Sequence, residues 1–137
     1  MPLVFGSASL ADNEFLAAFH TCTLDPAMFR HADHLRLAWL YVHQEPLEEA
    51  LIRVRTEIQA FAPHHRASHK YHETITTAWV RLIATHSETS FESFIQENES
   101  LLNGELLHRF WTPEALASDE ARNAWVPPDR RPLPTAV

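Results

Sequence analysis

Two short stretches concentrate the residues of this chain that could do chemistry. The first contains His31 and His34, one helical turn apart, and the second contains His72 beside Glu73. Imidazole is the side chain that most readily binds transition metals or moves protons near neutral pH. The chain has ten histidines among 137 residues. What the histidines of these two stretches can do depends on the helices that position them.

The upstream pair faces inward in a predicted helix that follows Asp25–Pro26. A capping carboxylate followed by proline is a typical helix start. With about 100 degrees per residue, His31 and His34 fall on the apolar stripe of this helix. Asp33 and Arg36 fall on the opposite side.

The downstream group lies in the first two turns of a helix that Ser68 is predicted to cap. His72 and Thr76 fall on its apolar stripe, whereas His69 and Glu73 lie on the flank. In an up-and-down bundle this helix runs parallel to the one that carries the upstream histidines. We therefore expect both groups to meet at one end of the core.

Capping residues and apolar periodicity predict further helices on either side. No segment alternates with the period of a strand, so the predicted fold class is all-α. We expect an up-and-down bundle of four to five helices with a small C-terminal helical cap, as one domain over residues 1–125. Residues 126–137 form a proline-rich tail that is predicted to be extended. The predicted elements comprise helices from Asp12 to Cys22, from Leu47 to Phe61, from Ser90 past Leu102, from Glu105 to Trp111, and two short ones capped by Thr112 and Ser118, with a loop over Ala62–Ala67.

Composition narrows the classes of function. A formal net charge of −7 argues against a nucleic-acid partner, and two glycines are too few for phosphate-binding loops. The single cysteine, Cys22, excludes an internal disulfide and fits a reducing compartment. The chain shows no signal peptide and no apolar run of membrane-spanning length, so we expect a cytoplasmic protein without a membrane partner. The oligomeric state stays open.

The leading hypothesis from these residues is a metal-dependent enzyme of oxygenase or hydrolase type that acts on a small molecule. Its predicted ligands are His31, His34, His72 and Glu73, with Glu73 acting either as the fourth ligand or as the general base. This set suits one divalent ion of iron, zinc, copper or nickel. A ferritin-like di-iron centre fits less well because it requires two Glu-x-x-His motifs, and the only one here runs from Glu105 to His108.

Two alternatives use the same residues without a metal. In the first, the protein binds a small molecule or performs acid–base chemistry, with Glu73, Tyr71 and Thr76 as catalytic groups around His72. In the second, the histidines are ordinary core residues of a structural or interaction module. Whether the protein is an enzyme at all stays open. The sequence also leaves open whether four further residues join the site, namely His64, His65, His69 and Asn98.

The histidine stretches also resemble those of a group of small bacterial proteins of unknown function. The resemblance rests on Phe29–Ala38 and Lys70–Thr76, with F-x-H-x-x-H-L-R and K-Y-H-E-T-x-T motifs, and on Ala121–Val126 and Pro132–Pro134 near the end of the chain. It implies a stand-alone bacterial protein whose signature includes His31, His34, His72 and Glu73. In size and histidine content the chain is distantly similar to DinB-like metal-binding bundles, which is an analogy of architecture alone.

Overall fold

All regular elements of the protein are helical. The computed structural model describes residues 10–25, 31–64 and 71–134, except for the side chains of residues 62–64, and no strand occurs among them. The predicted all-α fold class is therefore confirmed. The helices are α1 (Asp12–His20), α2 (His31–Gln44), α3 (Leu47–His64), α4 (Glu73–Ile83), α5 (Phe91–Glu97), α6 (Pro113–Ala117) and α7 (Asp119–Asn123), with two 3-10 segments between α5 and α6 (Glu99–Leu102 and Gly104–Arg109).

Helices α2, α3 and α4 form the centre of the bundle. Leu47 at the start of α3 shares a groove with Arg81 near the end of α4, whereas Arg55, two turns further along α3, pairs with Glu73 at the start of α4. These two helices are therefore antiparallel. A two-residue connection joins α2 to α3, and the first turn of α2 lies by the later turns of α3. Consequently α2 and α4 run in the same direction, as the predicted topology requires.

Helix α2 is covered on both sides, which corrects the assignment of a polar face to it. Asp33 and Arg36, on the side opposite the apolar stripe, are only 0% and 4% exposed. Arg36 donates hydrogen bonds to the Leu10 carbonyl at 2.7 Å and to Asp12 at 2.9 Å. Its guanidinium also lies 4.7 Å from the ring centroid of Phe15. Because α1 and its leading residues pack over this side, polar residues there are buried with partners.

The ends of α1 and α3 differ from the predicted ones. Helix α1 ends at His20, and Cys22 follows it with a φ of 61°, so the predicted helix end at Cys22 is two residues too late. Helix α3 continues to His64, so the predicted loop does not begin at Ala62. Pro63 has no backbone N–H to donate to the carbonyl four residues earlier, and α3 ends one residue after it.

The predicted caps of the C-terminal half are confirmed. The hydroxyls of Ser90, Thr112 and Ser118 each accept a hydrogen bond from the backbone N–H three residues on, at 3.1, 3.2 and 3.1 Å. Helix α5 is shorter than predicted, since it ends at Glu97. The 3-10 segments occupy the region predicted to be its continuation and the next helix.

The proline-rich tail forms neither helix nor strand over residues 126–134, bends at residues 129–131 and lies against the helical body. Trp111 Nε1 donates to the Val126 carbonyl at 2.9 Å, and the Arg130 amide donates to the Phe110 carbonyl at 2.8 Å. These bonds hold the tail, residues 126–134, against Phe110 and Trp111. Residues 135–137 lie outside the described part of the chain. None of the helices in the described ranges combines the length and the apolar character needed to span a membrane.

Candidate functional site

A cavity of about 310 Å³ lies between α2, α3 and α4 and brings together most of the predicted site residues. His31 and His34 border it from α2, and Tyr71, His72 and Thr76 border it from the start of α4. The two histidine groups therefore do meet at one end of the bundle. The remaining walls are apolar and consist of Ala38, Val54, Ile58, Ile75, Trp79 and Val80.

His72 is the N-cap residue of α4 and not a member of its helical stripe. Its backbone is extended, with φ −140° and ψ 112°, and α4 begins at the next residue. The imidazole Nδ1 accepts a hydrogen bond from the Ile75 amide at 3.1 Å, and Nε2 donates to the Leu116 carbonyl at 2.7 Å. A carbonyl can only accept, so the proton of the neutral ring resides on Nε2. Residues 71 and 72 are not helical and α4 begins at Glu73, so the predicted continuous helix from Ser68 is wrong.

Glu73 is held by a network beside the cavity. Arg55 donates to its carboxylate from Nε at 3.0 Å and from a terminal nitrogen at 2.7 Å, and the Thr77 hydroxyl donates at 3.1 Å. The Tyr71 hydroxyl donates a further hydrogen bond to it. Burial would raise the pKa of Glu73, but these hydrogen bonds outweigh burial and hold the pKa below its ordinary value. Glu73 is therefore ionised at neutral pH.

Tyr71 connects this network to the cavity. Burial, reinforced by the hydrogen bond to Glu73, raises the pKa of its hydroxyl well above the ordinary value. The hydroxyl thus stays protonated near neutral pH and donates a hydrogen bond to the Glu73 carboxylate. Arg55 lowers this pKa in part through its own contact with the hydroxyl, so the Tyr71 oxygen is engaged by the Glu73 network.

His31 is the imidazole of the cavity whose chemistry the structure defines best. Its Nε2 donates a hydrogen bond to the Leu101 carbonyl at 3.0 Å. Its ring packs edge-on against the Trp79 ring, with 4.8 Å between the two ring centroids. Burial lowers its pKa, and the hydrogen bond to Leu101 opposes this shift only in part. At neutral pH the ring is therefore uncharged, with its proton on Nε2 and an acceptor lone pair on Nδ1.

The other predicted site residues fall into three groups. His34 and Thr76 are partly buried and border the cavity. Asn98 is not among the residues that border the cavity; it donates to the Phe94 carbonyl at 2.9 Å and to Glu88 at 3.3 Å. The side chains of His64, His65 and His69 lie outside the described part of the chain.

Two of the four predicted metal ligands, His72 and Glu73, are engaged by other groups of the protein in this arrangement. Both ring nitrogens of His72 already take part in hydrogen bonds. The oxygens of Glu73 accept from Arg55, Tyr71 and Thr77, and Glu73 does not border the cavity. Among the described residues, no three potential ligands stand close enough together to share one ion.

Three contributors to the site were not found from the sequence. Arg55 fixes Glu73, and the carbonyls of Leu101 and Leu116 fix the two imidazoles. Arg55 precedes Glu73 by 18 residues on another helix, so no local spacing connects them. A backbone carbonyl carries no residue-type signal, and only the fold reveals its role.

No protein-family model matches this chain, and neither a curated protein nor a solved structure shows significant similarity to it. The resemblance of the histidine motifs to a group of bacterial proteins, and the DinB-like comparison, therefore stay predictions. Function has to be argued from the cavity itself.

Proposed function

We propose that the cavity binds a small, largely apolar molecule through a hydrogen-bond donor of that molecule, with His31 as the acceptor. One observation carries the proposal: His31 borders the cavity while its Nε2–H is committed to the Leu101 carbonyl. This commitment leaves Nδ1 to accept a hydrogen bond or a proton. A neutral imidazole with a fixed tautomer is what a general base requires.

The polar groups around the cavity favour a ligand that donates. Tyr71 donates its hydroxyl hydrogen bond to Glu73 and therefore offers the ligand no donor. The two nitrogens of His72 are occupied by Ile75 and Leu116. Thr76 can donate or accept. A ligand with an N–H or O–H group would satisfy the acceptors, whereas a ligand with acceptors alone would leave them unpaired, at a cost of about 1–3 kcal/mol for a buried group.

Size and wall chemistry limit the ligand further. A cavity of about 310 Å³ is at the small end of ordinary ligand pockets. Trp79 contributes an aromatic wall, and Val54 and Ile58 contribute aliphatic surface from α3. The matching ligand is a small aromatic or branched aliphatic molecule with one donor group.

Hydrogen bonds hold the polar groups in place without a ligand. The Arg55–Glu73 ion pair, 2.7 Å long, fixes the acceptor of the Tyr71 hydroxyl. The bonds from His31 to Leu101 and from His72 to Leu116 attach the C-terminal cap to the cavity. Since these groups are already ordered, binding costs little reorganisation of the site.

A matched ligand pair tests the proposal. Indole has one N–H donor, and benzofuran has nearly the same shape without it. We expect indole to bind saturably, as followed by protein NMR, and to bind about three- to tenfold tighter than benzofuran, the worth of one net hydrogen bond.

His31→Leu should abolish the preference for indole while the protein stays folded. His43→Gln, which changes an exposed histidine on the same helix, should leave the preference intact. Equal affinities of indole and benzofuran for the unchanged protein would refute the role of His31.

A metal-dependent enzyme is the second candidate, favoured by the three imidazoles of His31, His34 and His72 around one cavity. A metal there would require His72 to exchange one of its hydrogen bonds for the ion. The test is the metal content of protein purified without a histidine tag. Stoichiometric iron, zinc, copper or nickel that disappears in a His34→Ala, His72→Ala double variant would favour this candidate over the metal-free one.

A further inference from the structure

A second cavity lies at the opposite end of α4 from the candidate site. It has a volume of about 340 Å³ and is formed by the start of α3, the last turns of α4 and the tail. Its walls are apolar except for one arginine, and no acidic residue borders it in the described part of the chain. The residues that border it are Leu47, Arg81, Ala84, Trp125, Pro128, Pro132, Leu133 and Pro134.

Arg81 has hydrogen-bonding capacity that no described residue uses. Its Nε is buried and has no hydrogen-bond partner in the described part of the chain. The guanidinium lies over the ring of Trp125, 5.0 Å from the centroid. Contact with an aromatic face stabilises the positive charge but provides no acceptor in the plane of the N–H groups. A buried donor without a partner is costly and calls for an acceptor from outside the described residues.

The shape of the guanidinium indicates the chemistry of that acceptor. Its planar N–H donors match the two oxygens of a carboxylate. Arg81 is the only cationic residue bordering the described cavity, which suits a singly charged group better than a phosphate. We propose that this cavity binds a small monocarboxylic acid with an apolar body. The carboxylate pairs with Arg81, and the body packs against Trp125 and the prolines of the tail.

The dimensions of the cavity favour a small acid as its ligand. A volume of about 340 Å³ matches a small-molecule pocket, and the surrounding proline-rich backbone is fixed by its own hydrogen bonds to the cap. The site is distinct from the His31 cavity because the two cavities share no bordering residue.

The proposal is tested with hexanoate and hexanamide, which have the same apolar body and differ in charge. The readout is the indole N–H resonance of Trp125 in ¹⁵N-labelled protein, assigned through a Trp125→Phe variant. We expect hexanoate to shift this resonance saturably and hexanamide to bind at least tenfold more weakly. Absence of a saturable shift, or equal affinity for the two compounds, would overturn the proposal without any variant.

Substitutions then assign the effect to Arg81. Arg81→Gln should weaken hexanoate binding at least tenfold, whereas Arg131→Gln, which removes an exposed charge from the same tail, should change it less than twofold. Hexanoate binding to folded Arg81→Gln with unchanged affinity would overturn the assignment. Saturable binding of a tripeptide with a free carboxylate, in the absence of any hexanoate binding, would also contradict a small-acid site.

Discussion

Replacing His72 with alanine should destabilise the protein because His72 caps α4 and ties it to the C-terminal cap. The variant loses the hydrogen bond from the Ile75 amide to Nδ1 and the one from Nε2 to the Leu116 carbonyl. A lost N-cap costs about 1 kcal/mol, and a buried carbonyl left without a partner costs about 1–3 kcal/mol. We therefore expect a loss of about 2–4 kcal/mol in the free energy of unfolding. Urea denaturation followed by circular dichroism measures it.

His72→Asn separates the two contributions to this loss. Asparagine is among the best N-cap residues, so it can accept from the Ile75 amide in place of Nδ1. It is too short to replace Nε2 at the Leu116 carbonyl. The asparagine variant should recover about 1 kcal/mol relative to alanine. A His72→Ala protein within about 0.5 kcal/mol of the parent, or no difference between the two variants, would refute the structural role assigned to this histidine.

Three further outcomes are expected. Glu73→Gln should cost about 1–3 kcal/mol of stability at pH 7 because its hydrogen bonds to Arg55 are weaker. Folding lowers the pKa of Glu73, so the stability that the carboxylate contributes is fully present above the ordinary carboxyl pKa. Urea titrations at several pH values should show this contribution vanish as the pH falls through the pKa of the folded state. Thr74→Val keeps the shape but loses the bonds that the hydroxyl makes to the Ala124 carbonyl and the Val126 amide, 2.7 and 3.1 Å long, so trypsin should cleave the tail faster; an unchanged rate would contradict this anchoring. His31, with a pKa lowered by burial, should titrate below 6.5 in ¹⁵N NMR and make the protein less stable as the pH drops from 6.5 toward that lower value; a midpoint at or above 6.5 would contradict its burial as a neutral ring.

The sequence predicted the fold class and the meeting of the histidines because both depend on periodicity. The 3.6-residue pattern identified α2, α3 and α4, and short connections implied alternating directions. These two facts suffice to bring His31 and His72 to one end of the bundle. The caps at Ser90, Thr112 and Ser118 were also predictable, since they depend on side chains within one turn of each other.

The roles of individual residues were less predictable because they depend on contacts between distant parts of the chain. A helical wheel treats Arg36 as polar and outward, but residues 10–15 cover it. The wheel also extends α4 through His72, whereas the imidazole acts as the cap that starts this helix. Glu73 pairs with Arg55 on α3 instead of facing the cavity. Apart from the Ile75 amide that His72 caps, these partners lie 18 or more residues away in the sequence.

The most direct measurement for the proposed function is the location of bound indole by intermolecular nuclear Overhauser effects. The methyl groups of Val54, Ile75 and Thr76 surround the cavity from two helices. If the cavity is a ligand site, protons of indole should show effects to methyl groups on both helices, and the His31 Nδ1 resonance should shift with the same saturation curve. Effects confined to other surfaces, or an unmoved His31 resonance at saturating indole, would contradict the proposal.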